Sequence, residues 1–286
     1  MSLLEIFQVA AGTVAGRDHT QVGKNNQDAF CFAAHDDVMA GVVCDGCSTG
    51  KHSEVGSKLI ARLIVRQIIT NKDKFQGGDD SISRLMQRIK NSALMYVQLL
   101  ADGMGMSFSQ AINDYFLFTL VGTIIFPDKS IIFSLGDGVF AHNGEVTTVG
   151  PFPGNAPPYL AYNLVTTDLA TENPDLLDFN VHVIHETSLT SSILIGSDGI
   201  CDLIDIAELN MPGKPKLVGP MSQFWTDDRY FNNPDMVRRK LVLINREATR
   251  LDREGPSLQK YPGLLPDDTT LIAIRRKPIT EEGGED

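Results

Sequence analysis

Five aspartates in this chain stand where an apolar run stops or starts, most of them beside a glycine: Asp28, Asp45, Asp137, Asp198 and Asp267. The sharpest case is the run from Val38 to Cys44, which ends abruptly in Asp45-Gly46 and passes through the small-residue loop Cys47-Ser48-Thr49-Gly50 into a helical pattern near Ser53. A carboxylate at the end of a buried strand is held rigidly, and the glycine beside it leaves its own carbonyl bare. Oxygens of that kind suit a hard cation. One such turn is ordinary, since Asp caps many strand-to-helix connections. Five are more than turn chemistry needs. Grouped in one cleft their charges repel strongly, so the cluster persists only with bound cations or with raised carboxyl pKa values.

The runs between these aspartates read as strands and helices in a definite order. Phe7 to Val14 is a short strand interrupted by Gly12, and a polar loop from Gly16 to Asp28 feeds a second strand, Ala29 to Ala34. Asp36-Asp37 turns the chain into the Val38–Cys44 strand, so an antiparallel pair sets Asp28 and Asp45 at the same edge. Ser53 to Thr70 and Ile82 to Leu100 carry apolar residues at 3- and 4-residue spacings and form a helical hairpin. A short third helix is expected near Phe108 to Asn113.

From Phe116 the period shortens. Phe116–Phe126, Ser130–Leu135, Val139–His142 and Glu145–Val149 read as an antiparallel meander, with Asn143-Gly144 as its clearest hairpin turn. The stretch from Gly150 to Tyr162 holds four prolines and is a loop, either lining a cleft or merely connecting. Val181–Glu186 and Ser191–Ile195 are expected to pair and to deliver Gly196-Ser197-Asp198-Gly199. Ile200–Leu209 and Pro234–Leu251 read as helices, Gly255–Pro266 as loop, and Asp267-Asp268 opens a last strand, Thr269 to Arg275. With no repeat and no obvious linker, residues 1–276 are expected to form a single domain, followed by a charged tail over 277–286.

Composition removes several function classes. A net charge of -11 over 286 residues disfavours a nucleic-acid surface, which needs a basic stripe, and an anionic membrane surface. No apolar run reaches the ~20 residues of a membrane helix. The first residues lack the pattern of a secretory signal, and the four cysteines suggest no disulfide framework, so a cytoplasmic protein is expected. Cys44 and Cys47 form a C-x-x-C, but no second pair completes a zinc site. Cys44 is expected to end a buried strand as a small apolar residue. With oxygen donors alone, the aspartates point to Mg²⁺ or Mn²⁺ rather than zinc, and metal-assisted phosphoester hydrolysis is the reaction class they suggest.

The wording and order of these segments resemble the metal-dependent serine/threonine phosphatases of the 2C class, in particular their bacterial branch. The resemblance rests on Gly16 to Ala29, Asp45-Gly46 with Ser53-Glu54-Val55-Gly56, Gly136-Asp137-Gly138, Ser197-Asp198-Gly199-Ile200-Cys201-Asp202, and Pro266-Asp267-Asp268-Thr269-Thr270. It implies an α+β fold, a four-layer α-β-β-α sandwich of two antiparallel sheets flanked by helical pairs. It also implies a centre of two Mn²⁺ or Mg²⁺ ions at one end. Asp45 would bridge both ions, the Gly46 carbonyl would bind one, and Asp198 and Asp267 the other. Asp28 would bind a metal ion directly or stand just behind it, holding metal-bound water, Asp137 would serve a third, weaker ion, and Asp268 would support Asp267 from behind. The implied reaction is attack of a hydroxide bridging the two ions on phosphoserine or phosphothreonine of a protein substrate. The implied context is a cognate serine/threonine kinase system, with Asp28 and Asp45 as the catalytic carboxylates.

The chain departs from the family pattern around the phosphate. Many members place an arginine where this chain has Gly23, leaving Lys24, Arg17 and His19 as candidate phosphate-binding residues. Lysine offers a point charge and not a bidentate fork. The family's glutamate before Asp28 is Gln27, the histidine some members carry after Asp-Gly is Cys47, and the frequent Ser-Arg after Gly136-Asp137 is Gly138-Val139. Two functions follow: an active phosphoprotein phosphatase, or a phosphatase-like metal-binding regulatory module with little or no turnover.

Overall fold

The computed structural model describes residues 2–72, 79–251 and 257–278. Twelve strands run in chain order: β1 (Phe7–Val14), β2 (Ala29–His35), β3 (Val38–Gly46), β4 (Phe118–Ile125), β5 (Lys129–Leu135), β6 (Gly138–His142), β7 (Glu145–Val149), β8 (Asn180–Glu186), β9 (Ser192–Gly196), β10 (Ala248–Leu251), β11 (Leu258–Tyr261) and β12 (Thr269–Arg276). Ten of them build two five-stranded antiparallel sheets, ordered β1-β12-β9-β6-β7 and β2-β3-β4-β5-β8. β10 and β11 form a separate hairpin.

The two sheets pack face to face, and strand alternation explains how. On β3, Met39 and Val43 point inward to Val121, Ile125, Ile195 and Ile272 of the facing layers. Val38, Ala40, Val42 and Cys44 point outward into a second core made with the Ser53–Thr70 and Asp79–Gly103 helices. A strand buried on both faces must be apolar at every position, which is why Val38–Cys44 reads as an unbroken run. On the other side Ala10, Ala141, Leu194 and Ala273 meet Leu203 of the Gly199–Asp205 helix and Leu241 of the Met236–Asn245 helix. The four layers are those the resemblance implies.

Several local expectations are corrected. The meander breaks at Gly136-Asp137, because β5 belongs to one sheet and β6 to the other. β8 and β9 do not pair: β8 lies on the edge beside β5, while β9 sits between β12 and β6. The physical signal is burial. β9 is buried at every residue, as a central strand must be, whereas β8, at the edge, has no fully buried residue. The helix expected over Pro234–Leu251 stops at Asn245, and residues 248–251 turn into β10, whose partner β11 lies in the stretch read as loop. Arg17–Gln21 is a short helix within the presumed polar loop. Gly12 does not interrupt β1. It is needed because a Cβ there would lie 2.5 Å from the Arg238 backbone nitrogen, where the Met236–Asn245 helix crosses the strand. Of the charged tail, Lys277 donates its backbone N–H to the Ile6 carbonyl at 2.7 Å, and residues 279–286 lie outside the described residues.

Candidate metal centre

Register places the five aspartates. Ala29 pairs with Cys44 across β2 and β3, so Asp28 and Asp45 flank that pair on adjacent chains. Asp45 itself pairs with Thr119 on β4. β5 ends at Leu135, one turn before Asp137. In the other sheet Leu271 of β12 pairs with Gly196 of β9, which brings Asp267 and Asp198 to the same end of the sandwich. Asp45, Asp137, Asp198 and Asp267, with Gly46, line one wall of a cleft of about 290 Å³. Gly46 cannot be larger: a Cβ would lie 2.6 Å from the Gln27 carbonyl oxygen and 2.8 Å from Ser53 Oγ.

Asp28 lies behind this wall, 3% exposed. Ser197 Oγ donates to its Oδ2 at 2.7 Å, and its Oδ1 is buried with no partner among the described residues. Asp198 Oδ1 is likewise unpartnered. Burial raises the pKa of Asp28, helped by the charge of Asp268. Burial also raises Asp45, with added repulsion from Asp28, Asp198 and Asp267. Asp198 is pushed up to about 6, first by burial, while a hydrogen bond with Asp45 works the other way. Asp137 is raised by burial too.

Asp268 anchors the cluster to the N-terminal loop. Its Oδ1 accepts the Gly16 N–H and its Oδ2 the Gln27 N–H, both at 2.6 Å. His19 Nδ1 stands 3.0 Å from the same Oδ2 without hydrogen-bond geometry. His19, Asp267 and Asp268 offer ligand atoms within 4.8 Å of one another.

The three candidate phosphate residues do not line the cleft. The Lys24 ammonium donates to the carbonyl of Ser48, a lining residue. Arg17 pairs with Asp18 at 2.8 Å and donates to the Gly263 carbonyl at 3.1 Å. His19 is turned to Asp268 as described. The cleft is also lined by Cys47, Ser48, Thr49, Tyr159 and Tyr162. The Gly150–Tyr162 loop therefore lines the cleft. A second cavity of about 250 Å³ shares Asp137, Asp198 and Asp267 and adds Asp202 and Thr148.

Sequence reasoning passed over Thr119, Tyr159 and Asp202. Thr119 is 3% exposed and lines the cleft, with its hydroxyl beside Asp137. A hydroxyl residue opening the apolar run of β4 was its available signal. Cys44 is fully buried as expected, and none of the four cysteines is bonded to another.

No curated protein matches this sequence. Solved structures share the fold. A bacterial serine phosphatase aligns at a TM-score of 0.52 with 14% identity, covering 95% of this chain and 98% of its own. The Mycobacterium tuberculosis serine/threonine phosphatase PstP/Ppp aligns at 0.50 with 13% identity, covering 96% and 100%. The family model described as protein phosphatase 2C matches residues 15–236. On that match, the chain belongs to the protein phosphatase 2C family.

Proposed function

We propose that this chain is a Mn²⁺- or Mg²⁺-dependent phosphoprotein phosphatase that hydrolyses phosphoserine and phosphothreonine. The observation carrying this reading is the convergence of buried carboxylates whose free oxygens, Asp28 Oδ1 and Asp198 Oδ1, have no partner. Buried acceptors without donors are costly, and the raised pKa values reflect that burial first and the neighbouring carboxylates second. A donor set made only of oxygen fits hard divalent cations. Asp45, Gly46, Asp198 and Asp267 would hold two ions, with Asp28 beside them, and Asp137 would serve a third.

Two cations bound there would supply Lewis acidity, neutralising phosphoryl oxygens and acidifying water. The chain's own residues do the rest. Ser197 fixes Asp28 through one oxygen and leaves the other to face the cluster. Asp268 ties the loop carrying Asp28 to the start of β12, so the two sheets keep their carboxylates in register. A phosphorylated side chain would enter the cleft of about 290 Å³ that these carboxylates line.

A phosphorylated protein is the natural substrate of this family, and a cognate serine/threonine kinase would supply it. Among the described residues no helix is long and apolar enough to cross a membrane, and the acidic charge argues against nucleic acid, in keeping with a cytoplasmic enzyme. One observation favours the alternative of a regulatory module with little turnover: no Arg or Lys is among the described residues lining the cleft. The test is phosphate release from a phosphothreonine peptide with Mn²⁺, using Asp198→Asn as control. Release that requires Mn²⁺ and is lost in the variant supports the hydrolase. Absence of release in the wild type, with Mn²⁺ bound, favours the module.

A further inference from the structure

A phosphate ester in this cleft needs hydrogen-bond donors for the oxygens turned away from the carboxylate wall. Relatives use an arginine that is Gly23 here, and the three basic candidates are engaged elsewhere. What lines the cleft beside the carboxylates is a set of neutral hydroxyl residues. Tyr159 is 8% exposed and lies on the cleft wall. Cys47 Sγ and Thr49 line the same cleft, with Sγ 3.1 Å from Thr49 Oγ1. The Tyr162 ring packs edge-on against Tyr159, centroids 5.2 Å apart at 81°, and limits its rotation. Burial pushes the Tyr159 phenol well above its ordinary pKa, so it keeps its proton and remains a donor.

Resting on the hydrolase reading above, we propose that the hydroxyls of Tyr159 and Thr49 form the phosphate-binding subsite of this cleft in place of the missing arginine. Neutral donors suit the position. A guanidinium would bring a fixed positive charge that competes with cations for the carboxylates, whereas a phenol and an alcohol bring none. The consequence is a phosphate grip weaker than an arginine fork, and a product that leaves readily.

The experiment is calorimetric titration of inorganic phosphate into the Mn²⁺-saturated full-length chain, for the wild type, Tyr159→Phe and Thr49→Val. Each substitution removes a hydroxyl with little change of shape, and each is expected to weaken phosphate binding about ten- to a hundredfold, the value of one hydrogen bond to a charged group. Mn²⁺ binding and melting temperature should be unchanged. If Tyr159→Phe fails to fold, Thr49→Val carries the same test. Phosphate affinities within twofold of the wild type in the folded variants overturn the proposal, as does failure of the Mn²⁺-loaded wild type to bind phosphate. Peptide hydrolysis separates the two readings. Wild-type turnover with KM unchanged in both variants overturns the subsite and leaves the hydrolase standing. Phosphate binding that is lost in the variants, without wild-type turnover, supports the subsite and removes the hydrolase.

Discussion

Ser197, at the end of β9 in one sheet, donates its hydroxyl hydrogen to Asp28 Oδ2 at 2.7 Å, at the start of β2 in the other. The same Oγ accepts the Thr270 N–H at 3.1 Å. One side chain thus ties three strand ends together at the carboxylate cluster.

Replacing Ser197 with Ala removes a buried hydrogen bond to a carboxyl group and is expected to cost about 1.5–3 kcal/mol of stability. Asp28 then loses its fixed orientation, so Mn²⁺ affinity should fall as well. Urea unfolding and calorimetry check both, and a variant with wild-type stability would show that this link carries no weight.

Asp268→Asn tests the second anchor. Asparagine offers one acceptor oxygen where Asp268 uses two, and turns an amide N–H₂ toward either Gly16 or Gln27 N–H. A loss of about 2–3 kcal/mol is expected for one unsatisfied buried donor and its opposed partner. Hydrogen exchange should localise the loosening to residues 16–28.

The carboxylate cluster links metal to pH. Folding raises the Asp198 pKa from 3.8 to about 6. Between those values the folded, metal-free chain keeps a proton that the unfolded chain has released. Its stability is therefore highest in acid and falls as pH rises toward about 6. A cation takes the place of the proton, so the Mn²⁺-induced rise in melting temperature should grow from pH 5 to pH 7.5. Thermal scans with EDTA and with Mn²⁺ measure this, and a metal effect independent of pH would contradict it.

Lys240 is a buried lysine far from the cleft chemistry. Its ammonium donates to the Val218 carbonyl at 2.6 Å, and burial lowers its pKa to about 8 from 10.5. The unfolded chain binds the extra proton between those values, so this lysine makes stability rise with pH across that window. Lys240→Met should flatten that rise and change stability at pH 7 by no more than about 1 kcal/mol, the lost hydrogen bond offsetting the relieved desolvation. Melting temperatures at pH 7 and pH 9.5 test it.

The layers and the cluster were legible in the sequence because each depends on local pattern. Val38–Cys44 is apolar throughout because both faces of β3 are covered, and each aspartate marks a strand end. Strand partnership was not legible, since β8 and β9 follow one another and both read as strands; the polar residues Asn180, His182, His185 and Glu186 of β8 against the fully buried Ser192–Gly196 run mark the edge and the central strand. Tyr159 escaped notice because a proline-rich loop has no period from which to read a facing side. The short helix at Arg17–Gln21 was hidden by its polar composition, since it buries none of its residues.

The most direct test of the carboxylate cluster is calorimetric titration of Mn²⁺ into the metal-free chain and into Asp198→Asn. At least two ions should bind the wild type, with the variant losing one or more of them. A wild-type chain that binds no Mn²⁺ would contradict the metal centre and, with it, the hydrolase built upon it.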